Sequence, residues 1–430
     1  MGCAMGVDPV EDWVLERRSL DPLIFREIPL EECEPWQPVG EKIQRPDSRY
    51  FSGRFEADRV WIEQPEVGLL GLLFAHSEAG LSVLLQLKDE PGSVGVTQLG
   101  PTVQATASNL EQVHGGQEQP YVDFFERRGR AKALSDARLS EQGFRFWKKV
   151  NRNASAVARA MVEETLNHRW FSIPELLAVN HVPFLLNTDL RSVISTIDYK
   201  ILLSGPSKNS VVRKPIVQRI RESFFAQSSG VTCLYAALRD MRLRTFEESA
   251  LTGEIESGSQ ARGNSTFRYF RVSAKFREID SWNQPLLASD SRTAHFLLVS
   301  EGASGLQVLL RIVQEPGLIE RLEFGPTAQA EQDRYGGYRY RSSAHKIIED
   351  HAEEVVSVEQ SDEGGRFFQE IGRYSVFWLP RASEGRRAID DVVSHSESLF
   401  WASLPDLNRL CGFSGATTNE LRTLVSLLIT

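Results

Sequence analysis

The sequence predicts an α+β fold made of two similar mixed modules in tandem. Two observations support this prediction. Six sequence blocks recur in the same order in the two halves of the chain, and each half begins with strand-like segments and ends with helix-like segments. An internal repeat of this length indicates that one structural unit has been duplicated.

The clearest repeated block reads "LLQLKDEPG" at residues 84–92 and "LLRIVQEPG" at residues 309–317. The full set of paired segments is 64–65 with 284–285, 84–92 with 309–317, 98–109 with 323–334, 140–147 with 361–368, 171–180 with 402–411, and 190–195 with 421–426. We therefore expect a first module at residues 1–205, a polar connection at residues 206–224, and a second, more divergent module at residues 225–430.

Strands are predicted first in each module. The runs "VGLLGLLF" and "LSVLLQLK" are short, apolar or alternating, and separated by the glycine-containing tip "HSEAG", which is the pattern of a β-hairpin. Helices are predicted at the end of each module. Ser172 and Glu175 form a capping-box pattern with proline in the first turn, residues 403–406 are a close variant, and further helices are expected to start near Asn187 and Thr418.

The composition excludes several functional classes. The 430 residues carry a formal net charge of −9, which argues against a nucleic-acid partner. The apolar runs are shorter than the roughly 18 residues that a membrane span requires. The four cysteines lack metal-ligand or disulfide spacing, which indicates a reducing, cytoplasmic setting. Without a dinucleotide fingerprint, a phosphate-binding loop, a nucleophile elbow or a zinc motif, we expect no cofactor, no metal and no covalent nucleophile.

One face of the predicted strand at residues 84–90 carries polar side chains. Because alternate residues share a face, Gln86, Lys88 and Glu90 point one way, and Leu85 and Leu87 point into the core. An isolated face of this kind is usually exposed to solvent. Here it is followed by a block rich in uncharged hydrogen-bonding groups, which suits a polar neutral ligand such as a sugar or nucleoside. The polar residues of that block are Gln98, Thr102, Gln104, Thr106, Ser108 and Asn109.

The matching face of the second module reads Arg311, Val313 and Glu315. An arginine suits bidentate contact with phosphate or carboxylate, and a salt bridge to a nearby glutamate is an equal alternative. The scaffold is kept in both modules and the polar face has diverged, so we expect chemistry in the first.

Other candidates have a structural reading beside the functional one. Trp61 and Trp282, which precede Gln64 and Gln284, suit the core better than a base-stacking platform. Arg191 recurs as Arg422 in the second module, which favours a structural ion pair over a phosphate contact.

The quoted segments resemble the NDP-hexose 2,3-dehydratase family of deoxysugar biosynthesis. The resemblance runs from about Trp36 to Leu428 and is carried by "IEQPEVGLLGLL", "LLQLKDEPGS", "QLGPTVQATASN", "SEQGFRFW", "SWNQPLL", "EFGPTAQ" and "SDEGGRFF". It implies modules resembling the Nudix fold, a homodimer, and a substrate such as dTDP-4-keto-6-deoxy-D-glucose. It also implies a 3,4-diketo-2,6-dideoxy product, a downstream 3-ketoreductase as pathway partner, and a role in antibiotic biosynthesis.

Roles can be assigned for such a reaction. The C4 ketone acidifies the C3 proton, so a base removes it and an acid assists departure of the C2 hydroxyl. We expect Glu90 to be the base and Lys88 to stabilise the enolate or act as the acid. The candidate substrate-binding residues are Trp61, Gln64, Gln86, Gln98, Thr102, Gln104, Asn109 and Arg191, with Trp282, Gln284, Arg311, Glu315 and Gln329 in the second module.

The second module departs from the family pattern at residues 311–314, which read "RIVQ". This leaves a non-catalytic nucleotide-sugar-binding homologue as the alternative. A Nudix-type pyrophosphohydrolase is disfavoured, because the sequence lacks the acidic helix motif that holds magnesium in such enzymes.

Overall fold

A computed structural model describes most of the chain. The described residues are 8–47, 51–56, 59–78, 80–110, 119–126, 130–205, 214–252, 265–276, 279–289, 291–332, 338–340 and 344–430. Within them, the helices are α1 (Pro9–Ser19), α2 (Ala107–Leu110), α3 (Asp123–Glu126), α4 (Ile173–Ala178), α5 (Thr188–Ser195), α6 (Tyr199–Leu203), α7 (Pro215–Ser223), α8 (Val231–Thr252), α9 (Ala344–His351), α10 (Glu384–Ser394), α11 (Leu404–Leu410) and α12 (Asn419–Leu427).

The strands of the first module form two sheets and lend one strand to a third. They are β1 (Leu23–Ile28), β2 (Gln37–Val39), β3 (Lys42–Gln44), β4 (Ser52–Glu56), β5 (Arg59–Glu63), β6 (Gly68–Ser77), β7 (Gly80–Asp89), β8 (Thr97–Gly100), β9 (Val103–Ala105), β10 (Ala131–Ser140), β11 (Phe146–Trp147), β12 (Val150–Ala158) and β13 (His168–Ser172).

The strands of the second module follow the same order. They are β14 (Thr266–Ala274), β15 (Ser281–Ala288), β16 (Thr293–Gly302), β17 (Gly305–Gln314), β18 (Leu322–Gly325), β19 (Ala328–Gln332), β20 (Tyr338–Tyr340), β21 (Glu353–Ser361), β22 (Ile371–Leu379) and β23 (Leu399–Ser403).

The main sheets of the two modules are built alike. The core of the first follows the order β10-β12-β6-β7-β13, and in the second β21, β22, β16, β17 and β23 pair in the same succession. The registers match as well. Leu73 faces Leu84 in the first hairpin, and Leu298 faces Leu309 at the corresponding point of the second. The predicted mixed α+β architecture with two similar sheet modules is therefore confirmed.

A smaller sheet joins strands from both modules. Strand β1 pairs antiparallel with β14, which pairs with β15, so a segment near the amino terminus completes a sheet of the second half. The β4–β5 hairpin and β11 form a separate sheet with β2 and β3. The sequence repeat did not predict the pairing of β1 with β14, because β1 precedes the first repeated block.

The helices at the end of each module begin where the sequence predicted. Ser172 and Glu175 form a complete capping box at the start of α4, and Ser403 caps α11. Asn187 and Thr418 cap α5 and α12 through their side chains. Helices α5 and α12 contribute to one hydrophobic cluster that includes core residues of both modules, so the two halves share a core.

The predicted connection at residues 206–224 lies partly within this packed structure. Residues 206–213 are outside the described part of the chain, and α7 follows at once. Its apolar residues Ile216, Val217 and Ile220 are buried on one helix face. The carboxyl-terminal half of the segment is therefore an amphipathic helix. The sequence did not indicate it, because the polar residues at the start of the segment concealed this apolar spacing. In the described ranges, no helix has both the length and the apolar content to cross a membrane.

The two Glu-Pro-Gly turns hold the modules together reciprocally. Gly92 N donates to Gly364 O (2.9 Å) in the second module, and Gly317 N donates to Gly143 O (2.8 Å) in the first. A Cβ on Gly92 would come 1.7 Å from the backbone oxygen of Phe367. The turns therefore use glycine because another backbone occupies the place of a side chain.

We expect Gly92→Ala to destabilise the protein by about 3 kcal/mol or more, since neither backbone can yield without distorting the module contact. The urea midpoint of unfolding measures this effect. Gly205→Ala is the control, because a Cβ there would have no atom of the described residues within 4 Å. Equal midpoints for the two variants would show that the turn is not a tight contact between modules.

Candidate active site

The polar face of β7 meets the amino-terminal end of α5 through one glutamine. Lys88 Nζ donates to Gln104 O (3.1 Å), and Gln104 Nε2 lies 3.5 Å from Glu90 Oε1. Asn187 Nδ2 donates to Gln104 Oε1 (2.9 Å), while its own Oδ1 caps α5. The structure thus brings together three residues that the sequence proposed, Lys88, Glu90 and Gln104, and adds Asn187.

A loop of the second module closes this site. A Cβ on Gly365 would lie 3.3 Å from Glu90 Oε1 and 3.5 Å from Glu363 Oε1, so both carboxylates flank that glycine. Gln98 Nε2 donates to Ser361 Oγ (2.9 Å) at the end of β21, immediately before this loop. Glu90 is buried by this packing, with 5% of its surface exposed. The site is therefore built from both modules, although the candidate residues of the first module dominate it.

Gln64 lies in a second chain of hydrogen bonds that crosses between the modules. Arg366 Nε donates to Gln64 Oε1 (3.0 Å), and Gln64 Nε2 donates to Glu66 Oε1 (2.7 Å). Glu66 Oε2 in turn accepts from Ser108 N (2.9 Å). The guanidinium of Arg366 lies 4.3 Å from the ring centroid of Phe51. Gln64 therefore orients Arg366, a half-buried cation that sequence reasoning did not assign to the site.

Asp189, in the first turn of α5, is a buried carboxyl that the sequence analysis missed. Burial, and then the charges of Glu363, Glu141 and Glu90, raise its pKa well above the usual range, against the opposing effect of Lys88. A helix amino terminus favours an ionised carboxylate, by up to about 2 kcal/mol where the group is partly buried. For Asp189 the opposing effects of burial and like charge are larger, so the net change in its pKa is upward.

Glu141 is the second buried carboxyl of the group. Asn151 Nδ2 and Asn419 Nδ2 donate to its two oxygens at 2.8 and 2.9 Å. Burial raises its pKa, Arg422 lowers it, and Glu363 raises it. The carboxyls of this region are thus close enough to influence one another, which is a common property of acid–base sites.

Gln86 faces the same side of β7 as Lys88. Its cross-strand neighbours are His168 and Gly100. Gln86 Oε1 is buried and has no hydrogen-bond partner within the described ranges. A ligand hydroxyl could satisfy this oxygen, because buried amide oxygens normally accept a hydrogen bond.

His168 beside it is a structural histidine. Its Nε2 faces Thr102 O (3.0 Å) and its Nδ1 lies 2.6 Å from Thr165 Oγ1. Burial lowers its pKa to about 4, so the ring is neutral at physiological pH.

Several predicted residues have contacts elsewhere. Thr102 Oγ1 donates to Leu84 O (2.5 Å) and accepts from Leu73 N, which ties strands together. Trp61 is buried and its Nε1 donates to Glu56 Oε2 (2.9 Å). Asn109 is exposed on α2. We call the group formed by Lys88, Glu90, Gln104 and Asn187 the Glu90 cluster. Thr102, Trp61 and Asn109 make their contacts outside it.

Arg191 lies between the final helices of the two modules. It is fully buried and donates to Asn180 Oδ1 (2.8 Å), Gln360 Oε1 (2.9 Å) and Ser426 Oγ (3.2 Å). Burial lowers its pKa to about 9. All three partners are neutral groups of the protein, which supports a structural role for Arg191. The predicted ion pair is not among these contacts, since Arg191 makes hydrogen bonds to amides and a hydroxyl.

The matching face of the second module has a different electrostatic character. Arg311 Nη2 donates to Gln329 Oε1 (3.0 Å), and Glu315 is fully buried beside Gly143. Val313 stands where the first module has Lys88, and its methyl group would meet a Cβ on Gly325 at 2.8 Å. The second face therefore has no lysine ammonium at this position.

Trp282 and Gln284 of the second module lie next to the loop that contains Gly365. Trp282 Nε1 donates to Gln284 Oε1 (2.6 Å), and Gln284 Nε2 lies 3.3 Å from Gly365 O. These two candidates thus support the loop that covers Glu90.

Glu323 is another buried carboxyl of the second module. It accepts a hydrogen bond from Ser140 Oγ, and burial raises its pKa to about 7.

Among the residues that the structure describes, no group of three or more histidine, cysteine, aspartate or glutamate side chains could hold a metal ion. A half-buried lysine, side-chain amides and buried carboxyls with raised pKa values define the class of site, one suited to acid–base catalysis on a polar ligand.

The chain belongs to the NDP-hexose 2,3-dehydratase family, whose model matches residues 7–197 and 249–428. It is 27% identical to a dTDP-4-dehydro-6-deoxy-α-D-glucopyranose 2,3-dehydratase from Saccharopolyspora spinosa, over 97% of this chain and 90% of the relative. The same description is given to relatives from Streptomyces violaceoruber (28% identity, 96% of this chain and 95% of the relative) and Amycolatopsis orientalis (26%, 99% and 90%). The resemblance drawn from the sequence is confirmed.

Proposed function

We infer that this chain is a carbon–oxygen lyase that eliminates water across C2 and C3 of a nucleotide-linked 4-keto-6-deoxyhexose such as dTDP-4-keto-6-deoxy-D-glucose. The product is a 3,4-diketo-2,6-dideoxy sugar. The observation that carries this proposal is the family match over both modules, together with relatives of the same described activity along almost the whole chain.

The reaction needs proton transfer but no external oxidant. Glu90 removes the C3 proton, which the neighbouring ketone acidifies, and Lys88 stabilises the negative charge that develops on the C4 oxygen. The C2–oxygen bond then breaks and water leaves. The resulting enol tautomerises to the C3 ketone, so oxidation at C3 balances reduction at C2 within one sugar. No cofactor is required by this balance.

We place the chemistry in the first module. The ammonium of Lys88 lies beside Gln104 and near the buried Glu90, whereas the second module has Val313 at the matching position. Gln86 and Gln104 would hold sugar hydroxyls. We keep the division of the chain into residues 1–205, 206–224 and 225–430. Strand β1 is an exception, because it precedes the repeat and pairs with β14 of the second module.

Several finer features follow from the family resemblance alone. They are a Nudix-like arrangement of each module, a homodimer, a downstream 3-ketoreductase and a place in antibiotic biosynthesis. A cytoplasmic location is supported by Cys33, Cys233 and Cys411, which are free thiols in the described part of the chain. Thiols of this kind suit a reducing compartment.

Incubation with dTDP-4-keto-6-deoxy-D-glucose and EDTA, without added cofactor, tests the proposed activity. We expect mass spectrometry to detect a nucleotide sugar that has lost one water, followed by release of dTDP. The same mixture without protein is the control. Intact substrate that still binds would contradict the dehydratase proposal and favour the alternative, a nucleotide-sugar-binding homologue, for which Val313 in the second module is the supporting observation.

A further inference from the structure

We propose that Arg366 of the second module binds the diphosphate of the nucleotide-linked substrate at the site of the first module. The inference rests on the dehydratase function proposed above, and it names the part of the substrate that this arginine recognises. The two modules then bind different parts of one substrate, since the first acts on the sugar and the second holds the charged group attached to it.

Arg366 follows the glycine that flanks the proposed base. Arg366 Nη1 donates to Gly365 O (2.7 Å), and a Cβ on Gly365 would lie 3.3 Å from Glu90 Oε1. The guanidinium and the Glu90 carboxylate therefore lie around the same residue. In the substrate, only C2, C1 and the glycosidic oxygen separate C3 from the nearer phosphorus. A sugar whose C3 faces Glu90 thus brings its diphosphate close to Arg366.

The guanidinium of Arg366 is oriented by neutral groups. Its Nε donates to Gln64 Oε1 (3.0 Å), and its hydrogen-bond partners among the described residues are the oxygens of Gln64 and Gly365. The Gln64 amide stands between Arg366 and the carboxylate of Glu66, to which Gln64 Nε2 donates (2.7 Å). Gln64 therefore fixes the guanidinium without a direct ion pair, and its charge is left for an anion. Arginine suits phosphate oxygens, which it can contact in a bidentate manner.

The repeat supplies an internal comparison, because Arg145 of the first module matches Arg366 of the second. Arg145 is buried and forms a salt bridge with Glu370, and its Nε lies 4.0 Å from an oxygen of Asp362. The charge of Arg145 is therefore neutralised within the protein. The same position of the repeat thus holds a neutralised arginine in one copy and an arginine with neutral partners in the other.

The residue that matches Glu370 in the repeat is Lys149, so the charge at this position is reversed. Lys149 is buried, and its Nζ donates to Glu66 O (2.6 Å). Burial and the charge of Arg366 lower its pKa, against the charges of nearby carboxylates that include Glu66. Lys149 and Arg366 are therefore close enough to repel each other. A diphosphate suits such a pair of cations, because both of its phosphates are negatively charged.

Titration calorimetry of the full chain with dTDP, in the presence of EDTA, tests this contact. Arg366→Met is expected to weaken dTDP binding by about 10–100-fold, the usual effect of losing hydrogen bonds to a charged group. Arg366→Lys should recover part of the affinity, because it restores the charge without the fork geometry. Arg387→Met is the control, since Arg387 is an exposed arginine on α10 of the same module.

Thymidine separates a phosphate contact from a general effect on the site. It lacks phosphate, so saturation-transfer NMR should detect equal thymidine binding by Arg366→Met and the wild-type protein. With the 4-keto sugar nucleotide, Arg366→Met should raise KM more than it lowers kcat, because the diphosphate does not react.

Three results would overturn the assignment. They are equal dTDP affinity of Arg366→Met and the wild-type protein, a parallel loss of dTDP and thymidine binding, and a wild-type protein that does not bind dTDP. Failure of the proposed function is a different result. The wild-type protein would then bind dTDP through Arg366 but lose no water from the 4-keto sugar.

Discussion

Glu90→Gln should remove most of the dehydratase activity and leave nucleotide-sugar binding in place. We expect kcat to fall about 10³-fold, because an amide of the same shape cannot accept the C3 proton. The buried position of Glu90 between Gln104 and Gly365 favours this result, since the substitution preserves volume and contact geometry. Single-turnover kinetics at saturating substrate measure the loss.

The same chemical change at an exposed position is the matched control. Glu78 lies at the exposed tip of the hairpin that contains β7. Glu78→Gln should therefore leave kcat unchanged. A Glu90→Gln enzyme with undiminished kcat would place the base elsewhere, and Glu363, which flanks the same glycine, would be the next carboxylate to replace.

Lys88→Met is expected to lower kcat about 10²–10³-fold, which is the typical effect of removing one group that stabilises an oxyanion. Methionine keeps the aliphatic length of lysine, so packing on β7 is retained while the ammonium is lost. The bond from Lys88 Nζ to Gln104 O (3.1 Å) shows that the ammonium is held within the Glu90 cluster.

Lys132→Met is the control for this variant, because Lys132 is an exposed lysine on β10. Lys88→Arg should recover part of the rate by restoring positive charge with a different shape. If Lys88→Met raised only KM and left kcat intact, Lys88 would bind the ground state and the transition state equally, and the enolate role would be wrong.

Local sequence signals predicted much of the fold. The capping patterns at Ser172 and Ser403 located two helix starts because they depend on residues only three positions apart. The repeat predicted two similar sheets because each copy preserves its own alternation. Strand β1 could not be assigned in this way, because its partner β14 lies more than half the chain away and pairing depends on the packed structure.

The site was predictable only along a single strand and its neighbour. Gln86, Lys88, Glu90 and Gln104 could be grouped from strand periodicity and proximity in sequence. Asp189 sits on a helix whose capping residue contacts β9, and Glu363 and Arg366 come from the other module. No local pattern marks such residues, because tertiary packing alone brings them together. Thr102 is the opposite case. We expected it to bind substrate, whereas its side chain hydrogen-bonds the backbone of two strands.

The measurement that tests the central claim most directly is the wild-type reaction with dTDP-4-keto-6-deoxy-D-glucose in D₂O, with the product trapped by reduction and examined by NMR. The account predicts loss of one water and at least one solvent deuteron at C2, because the enol formed after elimination must take a proton there. Water loss with the original C3 hydrogen transferred to C2 would contradict a route through proton removal and tautomerisation.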